Sequence, residues 1–147
     1  MGKYFTINEL TRTNTGLTNK PNQQQLNNLQ SLIKVLDKVR ESWTDLCKKN
    51  NWGSPSILVN SGFRSDAVNK AVGGAKNSDH KLGFAVDIEP SNQKNKEFWD
   101  FIVEYLNTND IPFSQLINEK PRNGIPSWVH FSIDGKNGKA KQIFTLV

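Results

Sequence analysis

Cysteine occurs once in this 147-residue chain, at position 47, and histidine only twice, at 80 and 130. A single thiol excludes an internal disulfide framework and any cysteine-rich metal site, and it points to synthesis in a reducing compartment. No apolar run approaches the roughly 20 residues that span a bilayer, and the opening MGKYFTINEL lacks the apolar core of a secretory signal. A protein with no signal peptide and no membrane partner is expected. Gly2 and Thr6 fit a loose myristoylation pattern, but so short a match carries no weight. Internal repeats and low-complexity linkers are missing too, so one domain over residues 1–147 is expected, long enough to bury roughly two-thirds of its unfolded surface.

What is present is mildly basic. Nineteen Lys and Arg against 14 Asp and Glu give a net charge of +5. The basic residues are scattered, with only short pairs such as Lys48 and Lys49, and no basic stripe alternates with aromatics. Nucleic acid is therefore not expected as a partner. A diffuse positive field suits an anionic surface, and the bacterial cell wall is one.

Apolar residues at Leu26, Leu29, Ile33, Leu36, Val39, Trp43 and Leu46 follow three- and four-residue steps and predict a long helix over 22–49, with Pro21 just ahead of it. The Asn-rich stretch 19–28 suggests polar loop. Ile57-Leu58-Val59 predicts a short strand ending at Ser61-Gly62. A short helix over 66–72 is stopped by Gly73-Gly74, and a strand over 84–88 places Phe84, Val86 and Ile88 opposite Ala85 and Asp87. A second amphipathic helix over 95–106 follows, then strands around 115–117, 128–133 and 142–146. Early helices and late strands predict an α+β fold: a mainly antiparallel sheet with helices packed against it.

Both histidines have unusual settings. His80 lies in a polar loop seven residues before Asp87, whose carboxylate shares a strand with apolar neighbours and needs a partner. His130, in Trp128-Val129-His130-Phe131-Ser132, alternates with Val129 and Phe131. Two imidazoles and one carboxylate form the protein ligand set of many catalytic zinc sites. They leave the ion a surplus positive charge that acidifies a bound water toward pKa ~7. The same His and Asp also suit an ordinary hydrogen-bonded pair, and spacing alone does not decide between the two.

The run Ser61-Gly62-Phe63-Arg64-Ser65, then Asn69, Val72-Gly73-Gly74-Ala75, Ser78, His80, Gly83, Ala85, Asp87-Ile88 and finally Trp128-Val129-His130 resembles the M15 family of zinc peptidases. Phe5-Thr6-Ile7-Asn8-Glu9-Leu10, with Asn19 and Pro21, resembles the start of its small phage and bacterial members. The resemblance implies a hedgehog/DD-peptidase-like domain with Zn2+ held by His80, Asp87 and His130. It implies Arg64 as the catalytic cation that grips a substrate carboxylate or polarises its carbonyl, and Ser78 as a residue facing the substrate or supporting the metal ligands. Gly73, Gly74 and Gly83 are expected where a side chain would obstruct the backbone.

One position departs from the pattern. Several members carry a catalytic glutamate three residues before the last histidine, where this chain has Ser127. The segment Gln115-Leu116-Ile117-Asn118-Glu119 resembles the strand preceding Trp-Val-His in small members. It implies Glu119 as the replacement base and Gln115 as a substrate-binding or ligand-orienting neighbour, with Asp79, Asp110 and Asp134 as the less favoured acids. The expected function is hydrolysis of peptidoglycan stem peptides by a monomeric, endolysin-like murein peptidase made in the host cytoplasm and acting at the bacterial cell wall. The alternative is a catalytically inactive zinc-containing module that binds the wall, since the related hedgehog signalling domain has a similar site and is known chiefly as a ligand.

Overall fold

The computed structural model describes residues 2–133 and 141–147. Its helices are α1 (Ile7–Leu10), α2 (Gln23–Asn50), α3 (Asp66–Ala71) and α4 (Asn95–Thr108). Its strands are β1 (Ile57–Ser61), β2 (Ala85–Pro90), β3 (Gln115–Glu119), β4 (Trp128–Ser132) and β5 (Gln142–Leu146), and a 3-10 turn covers Asp79–Leu82. The sheet runs β1-β2-β4-β3-β5. All neighbours are antiparallel except β3 and β5, which are parallel. The α+β reading is thus borne out, with one parallel pair at the edge where the chain returns.

The long helix forms because its apolar residues recur on one face and its first turn is capped. The Asn22 side chain accepts from the Gln25 backbone N–H, and the Gln25 side chain accepts in return from the Asn22 N–H. Leu29, Leu32, Ile33, Leu36, Val39, Trp43 and Cys47 are buried along the stripe, each large apolar side chain contributing about 1.5–3 kcal/mol by leaving water. They pack with Phe98, Ile102 and Leu106 of α4 against Val86 and Ile88 of β2, Val129 and Phe131 of β4, and Leu116 of β3. Strand alternation then turns Asp87, His130, Ile117 and Glu119 to the sheet's other face.

Four details differ from the sequence reading. β2 begins at Ala85, one residue after Phe84, because the left-handed turn at Gly83 delivers the chain there. His80 lies in a short helical turn rather than an open loop and is buried. Ile7–Leu10 is a helical turn capped by Thr6. The Asn-rich stretch is not a slack loop either. Asn19 Nδ2 donates to the carbonyls of Thr11 and Phe63, its Oδ1 accepts from Ser65 N–H, and Asn28 Nδ2 donates to the Leu82 carbonyl. Side-chain amides there perform the joining that apolar contacts perform elsewhere.

Candidate metal centre

The site is built where β2 and β4 pair. Asp87 lies directly opposite His130 in the ladder, and Ile117 of β3 flanks His130 on its far side. His80 is delivered by the 3-10 turn, which is fixed from several directions. Ser78 Oγ accepts from the His80 N–H at 3.2 Å. Gln25 and Asn28 of α2 donate to the carbonyls of Lys81 and Leu82 at 3.0 and 2.8 Å. The His80 carbonyl accepts from the Arg64 N–H at 3.0 Å. Gly83 closes the turn at φ +82, where a Cβ would stand 2.7 Å from the Gln25 carbonyl oxygen. Only glycine meets both demands without displacement.

His80, Asp87 and His130 are 3, 8 and 8% exposed. His80 Nε2 lies 3.3 Å and His130 Nδ1 3.1 Å from the same oxygen, Asp87 Oδ1. The tautomer of His80 follows from its other nitrogen. Nδ1 is 2.7 Å from the Gly62 carbonyl, an acceptor only, so Nδ1 carries the proton. In the neutral ring Nε2 is then a bare lone pair aimed at a carboxylate oxygen, and such an arrangement calls for a cation between them. Donor atoms on a tetrahedral zinc, each about 2.0–2.1 Å from the ion, stand roughly 3.3 Å apart, and the two spacings here match that figure. His130 Nε2 is buried without a partner among the described residues, leaving Nδ1 as the ring's polar engagement. The three residues could hold a metal ion, and their donor chemistry fits zinc.

Burial alone would raise the Asp87 carboxyl. With a proton instead of a metal on His80 Nε2, the charge of that ring, with hydrogen bonds from His130 and His80, overrides burial and holds the carboxyl well below the usual carboxylate range. The second Asp87 oxygen is also engaged, since Arg64 Nη2 donates to Oδ2 at 3.2 Å. Arg64 Nε donates to Ser61 Oγ at 3.0 Å and Nη1 to Asn69 Oδ1 at 3.2 Å. Burial lowers the guanidinium's pKa, opposed by the charges of Asp87 and Glu119. Of its five N–H groups, three are thus taken up, and the guanidinium lies on the wall of the cavity above the site.

That cavity, of about 460 Å³, opens over the three residues. Glu119, Ser78, Gln115 and Asp79 line it, together with apolar Ile117 and Leu146. Burial raises the Glu119 carboxyl, the Asp87 charge adds to the rise, and His130, Lys120 and Arg64 oppose it. Gln115 Nε2 donates to Gln142 Oε1 at 3.3 Å. Asp110 instead pairs with Lys141 at 2.9 Å, and Asp134 lies outside the described residues. Ser127 is turned from the site, its Oγ donating to the Lys120 carbonyl at 2.6 Å.

Several contributors escaped the sequence reading. The Gly62 carbonyl and Ser61 hydroxyl belong to the quoted run, yet only the fold shows that they fix His80 and Arg64. Leu146, twenty-seven residues beyond Glu119, comes beside it through the β3–β5 register, and no local signal marks it.

A sequence model of the family described as Peptidase M15 matches residues 3–117. Over 51 residues the chain is 41% identical to a protein named zinc D-Ala-D-Ala carboxypeptidase from Streptomyces albus G. That stretch is 35% of this chain and 20% of the relative, so the likeness spans about one-fifth of the relative's length.

Proposed function

Because the chain belongs to the peptidase M15 family, we propose that it is a zinc peptidase that cleaves stem peptides of bacterial peptidoglycan, in the manner of a small endolysin. The observation that carries this reading is the meeting of His80 Nε2, Asp87 Oδ1 and His130 Nδ1 on the floor of a cavity whose wall holds a carboxylate, Glu119. In this reading His80, Asp87 and His130 hold the zinc. When bound, the ion supplies Lewis-acid polarisation and lowers the pKa of water.

The remaining chemistry falls to the chain's own side chains. Glu119 accepts a proton from the attacking water and returns it to the leaving amine. Its position on the cavity wall and its raised carboxyl pKa support this, since a carboxylate whose pKa lies nearer neutrality takes up a proton more readily. Arg64 turns its remaining N–H groups to the substrate oxygen that gains negative charge. Ser78 and Gln115 line the same cavity and offer polar contacts to the peptide. Ile117 and Leu146 give one wall the apolar character suited to an alanine methyl.

The test is mass spectrometry of soluble fragments after incubation of purified murein with the protein, with and without a chelator. New amino termini that vanish with chelator, and masses that identify the cut bond, are expected. A protein that sediments with murein and releases nothing at saturating zinc is the wall-binding module instead.

A further inference from the structure

Asn69 is a polar residue near the end of α3 and is 4% exposed. Nothing in the proposed chemistry uses it. A buried amide is costly unless its hydrogen bonds are met, and here both ends are. Oδ1 accepts from Arg64 Nη1 at 3.2 Å, and Nδ2 donates to the Ala75 carbonyl at 2.9 Å. Gly74 makes this possible. A Cβ at that position would lie 2.0 Å from Asn69 Oδ1 and 2.8 Å from Arg64 Nη1, on top of the contact itself.

The guanidinium is rigid and planar, so fixing Nη1 and Nε fixes Nη2 as well. Asn69 and Ser61 hold two corners, and the third meets Asp87 Oδ2 at 3.2 Å. Asp87 is thereby left with one oxygen, Oδ1, facing both imidazoles. We propose that Asn69 is a positioning residue that aims Arg64, so that Arg64 occupies one oxygen of Asp87 and restricts the carboxylate to a single oxygen for the metal. The inference rests on the metal-site reading, and it acts through Arg64 rather than through contact with ion or substrate. Residues in such supporting positions change metal affinity by about 10- to 100-fold when removed.

The experiment measures zinc dissociation constants by competition with a chromophoric chelator for wild type, Asn69→Ala, Arg64→Ala and the double variant. Asn69→Ala is expected to weaken zinc about tenfold. The double variant is expected to bind no more weakly than Arg64→Ala, because residues acting through one contact are not additive. Asn69→Asp keeps an oxygen for Arg64 and lacks the donor to Ala75. It is expected to stay within about threefold of wild type, a small fraction of the supporting-residue range. Unchanged affinity in Asn69→Ala overturns the proposal. So do losses that add in the double variant, or an Asn69→Asp affinity as poor as that of Asn69→Ala, since each marks Asn69 as a brace for the 73–75 loop. A wild-type protein with no zinc affinity sinks the metal reading together with this one.

Discussion

Asp87 on β2 and His130 on β4 are direct partners in the antiparallel ladder, with Oδ1 and Nδ1 3.1 Å apart although 43 residues separate them in sequence. The pair ties the chemistry of the site to the pairing of β2 with β4, two of the sheet's three inner strands. It also makes Asp87 the hub of the site, because His80 meets the same oxygen and Arg64 meets the other.

Replacing that hub leaves Arg64 buried without its counter-charge. Asp87→Ala is expected to lose metal and also to destabilise the apoprotein by roughly 3–5 kcal/mol, the usual cost of removing one member of a buried pair. Urea unfolding in chelator checks it. An apoprotein as stable as wild type refutes the structural half of the role.

Zinc should stabilise the wild type, since an ion that binds only the folded chain adds about 2.7 kcal/mol at 100 times its Kd. Thermal melts with and without zinc should differ for wild type and coincide for His80→Ala and His130→Ala. A zinc-induced rise of equal size in either variant removes that histidine from the ligand set.

Glu119→Gln should retain zinc at wild-type affinity and lose about 10²–10⁴ in kcat on murein peptides, the range for a general base. Wild-type turnover in this variant transfers the role to another acid, with Asp79 on the same wall the first to test.

The raised Glu119 pKa also fixes the sign of a stability effect. The folded protein holds this proton more tightly than the unfolded chain does, so its contribution is fully present below the ordinary glutamate value of about 4.3 and is lost as pH rises through the higher folded value. In chelator, Glu119→Gln should therefore gain stability relative to wild type between pH 4 and 7. A difference that shrinks as pH rises contradicts the burial of this carboxyl.

Gly83→Ala should cost about 1–3 kcal/mol for the left-handed conformation alone, and more for the close Gln25 carbonyl. Because Gly83 ends the turn that carries His80, zinc affinity should fall in parallel. A variant of native stability would mean that the turn adjusts without cost.

Much of this was legible in the sequence because local periodicity and local chemistry coincide. The stripe from Leu26 to Leu46 marks α2, and alternation through Trp128-Val129-His130-Phe131 gives both the strand and the face on which His130 sits. The resemblance supplied the link between His80, Asp87 and His130, since spacing says nothing of which strands pair. What remained hidden depends on register and on backbone atoms. The Gly62 carbonyl that sets the His80 tautomer has no side-chain signature, and the placement of Glu119 and Leu146 on one wall follows from a parallel pairing that periodicity does not encode. The Asn-rich stretch misled for a related reason. Amides that cap and tether look in sequence like amides that merely dissolve.

The distance along the chain between Asp87 and His130 also bears on when the site comes into being. His80 and Asp87 are joined by one turn and strand, whereas His130 reaches them only through the pairing of β4 with β2, with α4 and β3 between them in sequence. Without that pairing the chain would offer an ion only two of the three proposed ligands. On the proposed ligand set, the complete metal site therefore depends on the pairing of β2 with β4, and zinc bound there would latch the two strands together.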